Sequence, residues 1–198
     1  SHWQQMVLKE EMALQGAPAA TNMGTNWVGP ALMIVGSDEQ KETHLSRIAD
    51  AADDSWWCTL YSEPGSGSDL ASLQTRADRD GEEYIVNGSK VFISGAGETD
   101  ALVVMLRTGE AGPKGISAVL IPADAEGVSY GKKEQKMGWN AQPTRAINFD
   151  NVRVPAGYRL GREGQGFAIA MEGLDGGRIN IATCSIGTAQ QALEEAAA

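Results

Sequence analysis

The chain has 198 residues, 42% of them hydrophobic and 21% charged, a composition that suits one or two globular domains with a real core. Its formal net charge of −10 argues against a nucleic-acid-binding face of clustered Lys and Arg, but leaves room for a small anion held by a few local cations. No apolar run reaches membrane-spanning length and no basic segment with an apolar core opens the chain, so neither nucleic acid nor membrane is an expected partner.

The first segment, residues 1–55, reads as part of a helical domain. Trp3, Met6, Val7 and Leu14 fall near helical spacing, and Gly16 can end that helix. A second apolar stretch runs through Trp27, Val28, Leu32 and Val35, with Pro30 near its first turn. Ser37-Asp38-Glu39-Gln40 then has the form of a capping box, opening a helix with Leu45, Ile48 and Ala49 on one face. His44 in that helix reads as an ordinary surface residue, with no second ligand or base at a useful spacing.

Residues 56–158 read as a β domain. Short runs rich in Val, Ile, Tyr and Phe occupy 56–61, 84–87, 90–94, 101–107, 115–121, 127–131 and 146–154, separated by Gly, Pro, Asn and Asp. Their number and spacing imply an antiparallel barrel or sandwich. Asn87-Gly88 predicts a tight hairpin between two of the runs, because a type I′ turn needs positive φ at both central residues. Residues 159–198 return to helix. Phe167, Met171 and Leu174 share one side, a break is expected at Gly176-Gly177, and Asp175 can cap a new helix through Ile179, Ile186 and Leu193. The fold class is therefore α+β: N-terminal helices, a middle β domain and the first helices of a C-terminal bundle. The ending EEAAA has no cap or polar tail and reads as a truncation. Cys58 and Cys184 lack any metal-ligand spacing and read as two reduced, buried thiols; no metal site is expected.

The loop YSEPGSGSDLASL, residues 61–73, carries the candidate chemistry. Gly65 and Gly67 uncover backbone N–H groups, and Ser62, Ser66 and Ser68 add hydroxyls, so the loop can follow a flat, hydrogen-bonding ligand or an anion. It is not a nucleotide phosphate loop, and a plain surface turn is the alternative. Downstream stand NGSKVFISGAGETD (87–100), GPKGISAVLIP (112–122), KKEQKMGWNAQPTRAINFDNVRVP (132–155) and EGQGFAIAMEGLDGGRINIA (163–182).

Taken together and in this order, these segments resemble the signatures of the acyl-CoA dehydrogenase family over residues 57–198. FISGAGETD, GWNAQPTR and LDGGRINIATCS resemble its isobutyryl-CoA, short branched-chain branch. The preceding stretch, with EEMALQGAP and VGPALMIVGSDEQK, is also similar to the family but nearer another branch, as a hybrid gene would be.

The resemblance implies FAD as cofactor and α,β-dehydrogenation of a short, branched acyl-CoA, a step of fatty-acid or branched-chain amino-acid breakdown. It implies an electron-transfer flavoprotein as acceptor and a homo-oligomeric parent, dimer or tetramer, in a bacterial cytoplasm rather than a mitochondrial matrix. By motif position, Tyr61, Ser62, Phe92 and Ser94 are the expected cofactor-binding residues. Ser62 would meet the pyrimidine side of the flavin. Phe92 would cover one of its faces, and Ser94 would approach N5. Ser68, Asp175 and Arg178 are the expected substrate-binding residues.

Bland readings stay beside these. Phe92 alternates with Val91 and Ile93 as a core strand residue would. Ser94 can simply end that strand. Arg178, at the start of the expected last helix, can pair with Asp175 or Glu172, and Lys132, Lys133 and Lys136 read as a solvated face. No catalytic residue is assigned. The position where a minority of the family carries its glutamate base is Gly177, neither Glu63 nor Glu172 stands in its place, and the base is expected beyond residue 198. A non-catalytic fragment or scaffold, or another enzyme of the architecture such as an acyl-CoA oxidase, is the alternative.

Overall fold

A computed structural model describes residues 1–16, 23–50 and 56–197. The segment boundary expected at residue 55 lies outside the described residues. Helix α1 spans His2–Leu14 and ends at Gly16, whose φ is +64°. Trp3, Met6, Val7, Leu8 and Leu14 on α1 are all exposed. A π-helical turn, Gly24–Val28, leads into α2, Gly29–Val35, with Pro30 in its first turn where its missing N–H costs nothing. The capping box forms as its residues predict: the Ser37 hydroxyl accepts from Gln40 N and the Gln40 side chain accepts from Ser37 N, opening α3, Asp38–Ala49. Only Ile48 of the expected apolar face is buried; Leu45 is half-buried and Ala49 is exposed.

Eight strands follow: β1 Trp57–Leu60, β2 Arg76–Asp80, β3 Glu83–Ser94, β4 Ala101–Arg107, β5 Ile116–Pro122, β6 Val128–Tyr130, β7 Thr144–Pro155 and β8 Arg159–Leu160. They form one sheet in the order β6-β7-β3-β2-β4-β5-β8, with β1 joined to β4. The sheet is not wholly antiparallel as expected. β1 runs parallel to β4, from Trp57 opposite Ala101 to Leu60 opposite Val104.

Alternation along β4 divides the core. Leu102, Val104 and Leu106 enter one cluster with Tyr84, Val86, Ile147 and Phe149, while Val103 and Met105 enter a second with Trp27, Leu32, Leu70, Ile116 and Ile169. A strand buried on both faces reads as a continuous apolar run, which is what ALVVMLR is. The second cluster is the layer on which the helices pack.

Two turn expectations are corrected. Asn87-Gly88 is not a hairpin turn; it lies within β3, a single 12-residue strand. Gly88, at φ +146°, sits where a Cβ would come within 2.6 Å of the Thr75 hydroxyl, so the glycine serves close approach at a register slip against β7. The hairpin turns instead at Gly81-Glu82, with Gly81 at φ +60°, and pairs β3 with the polar strand β2. Nor does the chain break at Gly176-Gly177: α4 runs unbroken from Gly166 to Ala197. Asp175 is therefore an exposed mid-helix residue rather than a cap, and Arg178 is not at a helix start.

The cysteine expectation is half corrected. Cys58 is buried, and burial pushes its thiol up to about 11 against the opposing hydrogen bond with Thr99. Cys184 is exposed, because α4 past Leu174 has no packing partner among the described residues. His44 is corrected as well. Its ring packs edge-on to Trp57, centroids 5.1 Å apart, and burial followed by the Arg47 charge lowers its pKa.

Candidate functional site

The loop after β1 is built from short-range bonds that leave selected groups free. Glu63 and Ser66 exchange backbone hydrogen bonds of 2.8 and 3.1 Å around Pro64-Gly65, closing a tight turn. The Ser66 and Ser72 hydroxyls both donate to the Asp69 carbonyl, at 2.6 and 2.8 Å. Those two serines are used up in shaping the loop. The Ser62 and Ser68 hydroxyls have no partner among the described residues.

The loop is tied to the sheet by charge. Lys90 of β3 is fully buried, and its Nζ donates to Glu63 Oε1 at 2.8 Å and to the Tyr61 carbonyl at 3.0 Å. Glu63 in turn accepts from the backbone N–H groups of Gln74, at 2.5 Å, and Thr75, at 2.9 Å. Burial pushes the Glu63 carboxyl up, but the Lys90 charge and these donors outweigh it and hold its pKa below the usual range. Burial lowers Lys90 to about 8, with Glu63 opposing. Arg107 holds the far end of the loop, donating to the Ala71 and Leu73 carbonyls at 2.9 and 3.1 Å. The sequence reading missed both devices. The available signal was a cation at an inward position of an apolar strand.

Beyond Lys90 the pairing with β7 slips, and Phe92 takes a left-handed φ of +57°. The consequence is large. Ile93 stays in the core while Phe92 is 70% exposed, so the core-packing reading of Phe92 is corrected. A bulky residue in that backbone region is strained, and strain of this kind gathers at functional sites. Ser94 is exposed and its hydroxyl, too, is without a partner among the described residues. Val91 N donates to the Ser62 carbonyl at 2.9 Å, which sets loop and strand side by side.

Between the loop and α4 lies a cleft of about 360 Å³. Tyr61, Ser62 and Ser68 line one side. Phe167, Met171, Leu174 and Arg178 line the other, spaced along one helical face. Four expected site residues thus meet: Tyr61, Ser62, Ser68 and Arg178. Phe92 and Ser94 flank them on β3 without lining the cleft, and Asp175 does neither. Arg178 makes no ion pair among the described residues, which corrects its pairing with Asp175 or Glu172. Glu172 faces a different crevice, beside Trp27 and Pro30. The Tyr61 hydroxyl is buried with no hydrogen-bond partner among the described residues; burial raises its pKa, and Thr59 stands near enough to oppose the shift without bonding it.

The acidic lining residue, Asp69, is exposed. Lys136 is not part of a solvated face: its Nζ donates to the carbonyls of Trp139 and Gln142 and to the Thr144 hydroxyl, at 2.9, 2.7 and 3.0 Å, holding the GWNAQPT loop. Among the described residues no His, Cys, Asp and Glu side chains cluster as metal ligands, and no helix is long and apolar enough to cross a membrane. The residues fit a flat aromatic cofactor: an exposed ring on β3 and three unused hydroxyls beside a half-apolar cleft.

Comparisons with known proteins agree on one relationship. Residues 58–152 match the family model for the acyl-CoA dehydrogenase middle domain, and residues 164–198 match that for the acyl-CoA dehydrogenase C-terminal domain. The chain is 53% identical over 161 residues to isobutyryl-CoA dehydrogenase, mitochondrial, of Dictyostelium discoideum, covering 81% of this chain and 38% of that protein. It is 36% identical over 195 residues to acryloyl-CoA reductase (NADH) of Anaerotignum propionicum, covering 96% of this chain and 49% of that protein. The solved structure of butyryl-CoA dehydrogenase from Megasphaera elsdenii superposes with a TM-score of 0.73 at 37% identity, over 78% of this chain and 40% of that one. The chain spans less than half the length of these relatives.

Proposed function

The chain belongs to the acyl-CoA dehydrogenase family, and we propose that it forms the FAD- and acyl-CoA-binding part of an enzyme that desaturates a short, branched acyl-CoA thioester. One observation carries the reading. The hydroxyls of Ser62, Ser68 and Ser94 have no partner among the described residues, Ser62 and Ser68 line the cleft, and Val91 N binds the Ser62 carbonyl beside Phe92, a ring that a strained backbone turns out of the core. A bulky ring held exposed on a strained backbone is costly in a fold and useful to a ligand.

In this reading Phe92 would cover the flavin ring system, Ser62 would bond its polar edge, and the Ser94 hydroxyl would offer a donor to its redox-active part. FAD, when bound, supplies the acceptor for the hydride leaving the β-carbon. The chain's own residues place and enclose the substrate. Phe167, Met171 and Leu174 exclude water from the acyl group, Ser68 bonds the pantetheine arm, and Arg178 meets the anionic side of CoA. The base that takes the α-proton is proposed to come from outside these residues: Glu63 is held by Lys90 and two amides, and Gly177 has no side chain. Oligomerisation, an electron-transfer flavoprotein as acceptor, and a bacterial cytoplasmic setting belong to the same proposal. The similarity to isobutyryl-CoA dehydrogenase supports the branched substrate. That to an acryloyl-CoA reductase supports a second reading, the same site run in the reducing direction.

The full-length protein should purify with, or take up, FAD and lose its flavin absorbance under anaerobic isobutyryl-CoA. Preference for long straight chains would remove the branch assignment. Reduction of enoyl-CoA by NADH without the forward reaction would favour the second reading, and no flavin binding at all would overturn both.

A further inference from the structure

The two halves of the candidate cofactor site are far apart in sequence, yet one buried ion pair references both. On the loop side, the Lys90 ammonium and the Glu63 carboxylate hold the Tyr61 carbonyl and the amides of Gln74 and Thr75. On the strand side, Lys90 is the last residue in register with β7 before the slip that turns Phe92 outward. The next residue, Val91, donates its N–H to the Ser62 carbonyl. Lys90 therefore has a hand on each side, within two residues of Phe92 and, through Glu63, adjacent to Ser62.

Stability alone does not account for such a pair. Two charges taken out of water are often replaced by apolar residues of similar volume without loss of stability. What apolar residues cannot do is hold a carbonyl and two amides at fixed distances. We propose that Glu63 and Lys90 are positioning residues for the cofactor site, setting the spacing between the Ser62 hydroxyl on the loop and Phe92–Ser94 on the strand. This rests on the reading of those residues as the flavin site.

The test uses the full-length protein and three variants: Lys90→Met, the double variant Glu63→Gln with Lys90→Met, and Glu63→Asp. Lys90→Met alone strands a buried carboxylate and should lower the thermal midpoint sharply. The double variant removes both charges and should regain most of that midpoint. Two readouts separate positioning from simple support: FAD affinity by fluorescence titration, and hydrogen exchange at the Gln74, Thr75 and Val91 amides without flavin. In the stability-matched double variant, protection at those amides should fall and FAD binding should weaken by roughly tenfold or more, the scale seen when supporting partners of a bound group are removed.

Glu63→Asp keeps the charges but withdraws the carboxylate by one methylene. It should fold and still show weakened FAD binding, which keeps the test decisive if the double variant does not fold. Wild-type FAD affinity in either folded variant would overturn the proposal, as would lost protection with unchanged affinity. A wild-type protein that binds no FAD would overturn the site reading first, and this inference with it.

Discussion

Substituting Gly173 by alanine isolates how closely α4 sits on the π-helical turn. A Cβ built at Gly173 would lie 1.6 Å from Trp27 Nε1 and 2.5 Å from two of its ring carbons. Ordinary contact is about 3.5–4 Å, so something must move by about 2 Å. Trp27 has little freedom to do so. Its ring is 8% exposed and stands edge-on to Tyr61, centroids 6.1 Å apart. Helix α4 must shift instead, which loosens Ile169 and Ala170 from the second core cluster. Overpacking of this kind costs about 1–3 kcal/mol, while Gly→Ala in a helix interior contributes about 1 kcal/mol in the other direction.

The control is built into the same helix. A Cβ at Gly176 or Gly177 meets nothing within 4 Å. Gly176→Ala should therefore stabilise by about 1 kcal/mol, a rise of roughly 2–4 °C in Tm for a chain of this size. Gly173→Ala should lower it, leaving the two variants about 1–3 kcal/mol apart once the shared propensity gain cancels. Urea unfolding followed by tryptophan fluorescence would measure both. Equal stabilisation by the two substitutions would show that α4 does not rest on Trp27, and the cleft wall of Phe167, Met171 and Leu174 would lose its support.

Phe92→Gly should relieve the left-handed strain and stabilise the fold by about 1 kcal/mol while weakening flavin binding, read by thermal melts beside FAD titration; a stability loss would refute the strain argument. In the folded 198-residue chain, a maleimide should label exposed Cys184 readily and leave Cys58, buried with its thiol raised to about 11, unmodified until unfolding; mass spectrometry of the peptides decides it. Glu63 has a folded pKa held below its ordinary 4.5, so the stability it contributes is fully present above that pH and is lost as pH falls through the lower, folded value. Lys90, at about 8, stays protonated throughout that window. Thermal midpoints of Glu63→Gln should accordingly fall less steeply with acid than those of the wild type, and parallel curves would contradict the assignment.

Much of the local structure was written in the residues themselves. The capping box at Ser37–Gln40 and the tight turn at Glu63–Ser66 depend on bonds within a few residues, and the strand ALVVMLR formed where its apolar run placed it. The same local reasoning misjudged Asn87-Gly88 and Gly176-Gly177. A turn or helix preference is worth about 1 kcal/mol per residue, and contacts made from elsewhere in the chain exceed that. Thr75 presses on Gly88; at Gly176-Gly177, where a Cβ would meet nothing within 4 Å, α4 instead continues without such a contact. Strand β2, RADRD, carries too little apolar alternation to be read as a strand and exists because β3 pairs with it.

For the site, the sequence by itself determined which side chains were available: the three serines, the phenylalanine and the arginine all stood in recognisable segments. Only the tertiary structure decided which of them are free to act. Whether a serine hydroxyl is unpaired depends on the carbonyl nearest to it, as Ser66 and Ser72 show at Asp69. Whether Phe92 points inward or outward depends on a register slip set against β7. Whether Lys90 is a surface charge or a buried hinge between loop and strand depends on Glu63, 27 residues earlier in the chain. Periodicity reports the local backbone; burial and pairing are properties of neighbours that only folding supplies.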